Sequence, residues 1–115
     1  MKLHGLLTGI ACGCVTLATL AGCTQPGGEA AAPGIDTVII SGMQFHPSEL
    51  YINKGDTILW INRDMVNHDV TGLPGKSWTS DTLYPGSNWE LSPYENTDYF
   101  CSIHPTMKGK VIIRQ

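Results

Sequence analysis

Basic charge is scarce in this chain: seven Lys and Arg side chains against ten Asp and Glu leave a formal charge of −3 over 115 residues. No stretch gathers those cations into a patch, which removes nucleic acids from the classes of partner. A helical repeat is missing as well. No segment sustains apolar residues at a 3.6-residue period, so almost no helix is expected. Nor is there an unbroken run of the roughly 20 apolar residues that a membrane-spanning helix requires. Internal repeats are absent too.

The opening "MKLHGLLTGIACGCVTLATLAGC" has a lysine near its start, an apolar stretch from about Leu6 to Ala21 broken by Thr and Gly, and small residues before a cysteine. That pattern reads as a secretory signal over residues 1–22. Leu20-Ala21-Gly22-Cys23 resembles a bacterial lipobox, in which Cys23 becomes the acylated first residue. An ordinary cleaved signal followed by a chance cysteine is the alternative. On the lipobox reading the chain is exported to the periplasm or cell surface and touches a membrane only through lipid. The mature 93 residues suffice for one domain, expected to be monomeric, with a formal charge of −4 once Lys2 is gone. Residues 23–35, the lipidated cysteine and "TQPGGEAAAPGI", read as a tether with an rms reach of ~20 Å.

Cysteine is then in short supply. Four cysteines in a small exported chain would ordinarily suggest two disulfides. Cys12 and Cys14 fall in the signal and Cys23 carries lipid, so Cys101 stands alone. A solitary thiol in an oxidising compartment is exposed to oxidation unless something occupies it, and a metal would do so.

Residues 36–115 form the expected domain. "DTVIISG", "LYI", "DTILWIN", "HDVT", "SNWEL", "DYFC" and "GKVIIRQ" are rich in Val, Ile, Tyr, Trp and Thr, as strands are. Between them "NKGD", "LPGK", "YPGS" and "SPYEN" supply turn chemistry. Seven or eight short strands in a domain of this size imply an all-β, small antiparallel sandwich or barrel. Trp60 and Phe45 belong in its core, and Trp78 and Trp89 in the core or at its margin.

The chemistry concentrates in "YFCSIHPTMKGKVII", where Cys101, His104 and Met107 recur at three-residue intervals in a loop between two strands. A thiolate and two imidazoles in a plane, with a weakly held thioether above, are the ligands of a mononuclear blue copper site. The second imidazole must come from elsewhere in the chain. His68, after a loop and at the start of a strand, suits that role; His46, before Pro47, reads as a surface histidine. A cysteine hydrolase lacks an orienting third group and leaves Met107 idle. Zinc would find a single thiolate and a poor thioether donor. A catalytic copper would need an open coordination position, and the chain is therefore read as a carrier of electrons and not an enzyme. A periplasmic copper carrier or buffer and a metal-free binding domain are the other readings.

"MQFHPSELYINKGDTILWINRDMVNHDVT" followed by "DYFCSIHPTMKGKVII" resembles the cupredoxin (plastocyanin/azurin) family, most of all its short-loop amicyanin members. The resemblance implies an eight-stranded Greek-key sandwich with copper near one end. It makes Cys101 the thiolate ligand, His68 the buried imidazole, His104 the imidazole with its edge at the surface, and Met107 the axial ligand. It also implies redox proteins as partners, such as a c-type cytochrome or a dehydrogenase. Met65 and Ile103 would belong to an apolar docking patch or to the core, while Asp81, Glu90, Glu95 and Asp98 read as solvated surface. Asp69 departs from the asparagine common after the first ligand histidine. A carboxylate there favours Cu(II) and a lower potential unless it is screened.

Overall fold

The structure, a computed structural model, describes residues 31–115 and the isolated Gly9, Gly13 and Gly22. The expected signal, residues 1–22, and Cys23 fall outside the described residues, apart from Gly9, Gly13 and Gly22. Among the described residues there are eight strands: β1 (Ile35–Ser41), β2 (Gln44–His46), β3 (Glu49–Asn53), β4 (Thr57–Asn62), β5 (Thr71–Leu73), β6 (Asn88–Leu91), β7 (Thr97–Phe100) and β8 (Lys108–Arg114). They form two four-stranded sheets, in the orders β2-β1-β4-β6 and β3-β8-β7-β5. Among the described residues no helix is long and apolar enough to cross a membrane.

Three expectations need correction. The sheets are mixed, not antiparallel: β1 runs parallel to β4 and β3 parallel to β8. After pairing with β1, β2 hands the chain to β3 in the other sheet, and β4 returns beside β1 in the same direction. A strand list read in sequence order does not reveal such crossings. The second correction is "HDVT", which is no ladder strand. His68 makes an isolated bridge to Leu83, and the ladder begins only at Thr71. The third is β2, whose three residues are too short to show alternation.

Period-two alternation explains what faces the core. In β4 it buries Ile58, Trp60 and Asn62 in turn. In β7 and β8 it buries Tyr99, Gly109, Val111 and Ile113, and one step beyond the ladder it carries Cys101 and Met107 inward in the same phase. Trp60 and Tyr99 are fully buried, as Phe45 nearly is, while Trp78 and Trp89 pack against the core partly covered. The rings interlock: Phe45 meets Tyr99 edge-on at 4.8 Å, and Trp60 lies 5.5 Å from both Trp89 and Tyr99. Trp78 stacks on Trp89 at 5.8 Å. Burial pushes the Tyr99 phenol up to about 12, against a smaller downward pull from the Trp60 indole N–H.

Two local devices hold the ends. Gly42 and Met43, both at positive φ, form the two-residue turn from β1 to β2, with Ser41 opposite Gln44. At the other end the Asp56 carboxylate accepts N–H bonds from Gly34 at 2.7 Å and Asn53 at 2.8 Å, which fixes the entrance to β1 against the β3–β4 turn.

Gly109 sits opposite Tyr99, and a Cβ there would come within 2.1 Å of the ring. Because Tyr99 is fully buried and cannot swing away, Gly109→Ala is expected to cost about 1–3 kcal/mol or more, read from urea denaturation. An unchanged midpoint would show that β8 can shift. The N–H groups of Gly34 and Asn53 hold the Asp56 carboxyl below its ordinary value. A depressed folded-state value means that this stabilisation is present above the unfolded pKa and fades as pH falls through the folded one. The stability gap between wild type and Asp56→Asn should therefore be widest at neutral pH and close below about pH 4. A gap that does not change with pH would contradict the charged-acceptor role.

Candidate metal centre

At one end of the sandwich three strand ends bring together residues far apart in sequence. His68 follows the β4 loop, and Cys101 follows β7 directly. His104 lies in the loop that Met107 closes ahead of β8. That loop is pinned by its own backbone: Cys101 N–H donates to Met107 O at 3.1 Å and Met107 N–H to His104 O at 2.9 Å.

His68 Nδ1 and His104 Nδ1 are 3.2 Å apart, and Cys101 Sγ lies 3.8 Å from the first and 3.9 Å from the second. The point equidistant from these three atoms is about 2.1 Å from each, within the 2.0–2.3 Å range of metal–nitrogen and metal–sulfur bonds. His68 and Cys101 are wholly buried and His104 is half-buried. Two ring nitrogens and a sulfur aimed at one point are mutually repulsive as bare lone pairs. A cation at that point satisfies all three, and a soft and borderline donor set of this kind suits copper. Met107 is 3% exposed, buried beneath the loop in phase with the β8 core residues. His46 is elsewhere, exposed on β2, as a surface histidine should be.

A carboxylate decides which nitrogen His68 presents. Its Nε2–H donates to Asp64 Oδ2 at 2.8 Å, which leaves Nδ1 as the lone-pair donor. Asp64 is itself anchored by N–H bonds from Gly42 at 2.6 Å and Met43 at 3.0 Å, so the β1–β2 turn and the His68 ring share one carboxylate. Burial works to raise the Asp64 carboxyl. The N–H groups of Met43 and Gly42, with the His68 ring, outweigh it and hold the group below its ordinary value. Asn62, turned inward by the β4 alternation, donates to Val66 O and Leu83 O and accepts the Asp64 N–H at 2.9 Å. It thereby shapes the loop that carries His68.

Asp69 braces the site through both its backbone and its side chain. Its N–H points at Cys101 Sγ at 3.4 Å. Its carboxylate accepts the Ser102 N–H at 2.7 Å, the Thr71 hydroxyl at 2.9 Å and the Ser102 hydroxyl. The negative charge is therefore screened by three donors, and the segments that carry His68 and Cys101 are joined through it. Sequence reasoning missed Asp64 and Ser102. For Asp64 the available signal was a carboxylate four residues before a candidate ligand; nothing in the sequence pointed to Ser102.

No family model matches the chain. Amicyanin of Paracoccus denitrificans is 33% identical over 91 residues, covering 71% of this chain and 67% of the relative. Amicyanin-alpha of Methylorubrum extorquens is 35% identical over 104 residues, covering 85% of this chain and 87% of the relative. The chain belongs to the amicyanin family. A solved structure of the Cu(I) form of an amicyanin variant superposes with a TM-score of 0.66 at 31% identity, covering 72% of this chain and 85% of that one. The cupredoxin sandwich expected from the sequence is thus the fold found, and the convergent donors stand at one end of it.

Removing the Asp69 acceptor strands the Ser102 N–H and frees the ligand loop from the His68 segment. Asp69→Ala is expected to lose about 1–3 kcal/mol in chemical denaturation, and Asp69→Asn, which keeps one acceptor, distinctly less. Equal losses in the two variants would mean that the brace does not act through hydrogen bonding.

Proposed function

We propose that this chain is a mononuclear blue copper protein that passes single electrons between redox proteins, with His68, Cys101, His104 and Met107 as the residues that would hold the ion. The observation that carries the reading is the triangle of two Nδ1 atoms and one Sγ, each within 4 Å of the others and buried at one end of the sandwich. A copper ion held there supplies reversible one-electron chemistry between Cu(I) and Cu(II).

The protein's part is to keep the donors still. Cys101 and Met107 are fixed by strand phase and by the backbone bond between them, and His68 by Asp64. The Asp69 N–H draws on the thiolate and moderates its donation. Donors that do not move between oxidation states keep reorganisation small. His104, the half-buried ligand, offers its edge to a partner, and Met65, Val66 and Ile103 are exposed hydrophobic residues suited to a docking surface around it. A c-type cytochrome or a dehydrogenase fits as partner. Residues 1–22 are read as an export signal, Cys23 as the lipidated residue, and the residues between it and Gly34 as the tether that keeps the domain near a membrane, Gly34 and Ile35 being held in the fold.

The test is the chain from Thr24 onward, loaded with Cu(II), beside its Cys101→Ser variant. An intense visible charge-transfer band with narrow copper hyperfine splitting is expected, and its loss in the variant with the fold intact. A pale protein with ordinary copper splitting would overturn the ligand assignment and favour a copper carrier.

A further inference from the structure

Beside the ligand loop the surface opens into a cavity of about 460 Å³ whose wall includes Met43, His46, Thr106, Met107 and Lys108. Met107 is buried, whereas Met43 and His46 are exposed, so one cavity connects solvent with the residue read above as the axial ligand. His46 belongs to β2 and alternates with the buried Phe45, which turns its ring outward. Its Nε2 lies 3.0 Å from Ser41 O; donation to that carbonyl leaves Nδ1 as a bare lone pair. A backbone carbonyl holding one ring nitrogen is the arrangement that prepares the other for a metal. Met43, at φ 61°, has its backbone held in the turn by the Asp64 carboxylate.

The donors offered are neutral: an imidazole and a thioether outside, a second thioether behind. No carboxylate lines the cavity, and its cation, Lys108, extends into solvent. Thioether and imidazole without carboxylate favour monovalent copper over a hard divalent ion.

We infer that Met43 and His46 form a landing site for Cu(I), from which the ion passes by Met107 to the buried donors of His68, Cys101 and His104. The inference rests on the copper reading of the Cys101 loop. The transfer is ligand exchange: each new copper bond replaces one to the preceding donor, no electron moves, and the free Cys101 thiol gives up its proton to solvent as it takes the ion.

The test uses the full chain with Cys12→Ser, Cys14→Ser and Cys23→Ser in every arm, because their thiols would compete for Cu(I). Met43→Leu and His46→Gln, which keep volume and leave the four ligands alone, are compared with this parent. Uptake of Cu(I) by the apoprotein from a coloured chelate should slow about tenfold in each variant, the scale on which losing a metal's supporting partner acts. The final blue absorption after oxidation should be unchanged. Separately, Ag(I) added to Cu(I)-loaded parent should shift the His46 ring nitrogens and the Met43 methyl in nuclear magnetic resonance spectra. Equal uptake rates, or resonances that ignore Ag(I), overturn the landing site. A parent that takes up Cu(I) but shows no blue band after oxidation overturns the copper reading and this inference together.

Discussion

Three donor atoms held within 4 Å of one another in a dry pocket would repel as bare lone pairs, and the rest of this structure is arranged around keeping them there. None can reach water to relieve the strain except His104, which is half-buried. The opposing constraints come from three directions. Strand phase turns Cys101 and Met107 inward, the Asp64 carboxylate grips the far side of His68, and Asp69 joins the His68 segment to Ser102. These constraints come from the polypeptide itself, through hydrogen bonds and packing that do not pass through a metal.

That constraint is a property of the whole sandwich and not of the loop alone. The loop's ends leave β7 and β8 at the register pair Phe100 and Lys108, and the next inward pair is Tyr99 and Gly109, where the ring lies flat against a residue with no side chain. Tyr99 in turn packs on Trp60 and Phe45. Any slip of β8 against β7 would move the thiolate relative to the thioether and break that packing at once. Asn62 does the same for the other ligand segment, from the end of the strand that buries Trp60.

Much of this was legible in the sequence because it was local. The spacing of Cys101, His104 and Met107 fits within one loop, and the position of His68 after a turn distinguished it from His46. The strands β1, β3, β4, β6, β7 and β8 announced themselves by composition. What could not be read depends on contacts between distant segments. Whether β4 returns parallel to β1 follows from which sheet β3 joins, and β2 has too few residues to show a period. The partnership of Asp64 with Gly42 and Met43 spans more than 20 residues, and that of Asp69 with Ser102 spans 33. Asp69 looked from sequence like a charge that would disturb the site; only its three donors show that the charge is engaged.

The aromatic cluster also governs what light can report about this molecule. The three tryptophans of the chain, Trp60, Trp78 and Trp89, all lie in it, with ring centres 5.5–6.4 Å apart. At that spacing excitation migrates among the indoles, so they emit as one source. Intrinsic fluorescence is thus blind to residues 1–35, which contain no tryptophan, and watches a single place, the packed centre from which β7 carries the chain to Cys101.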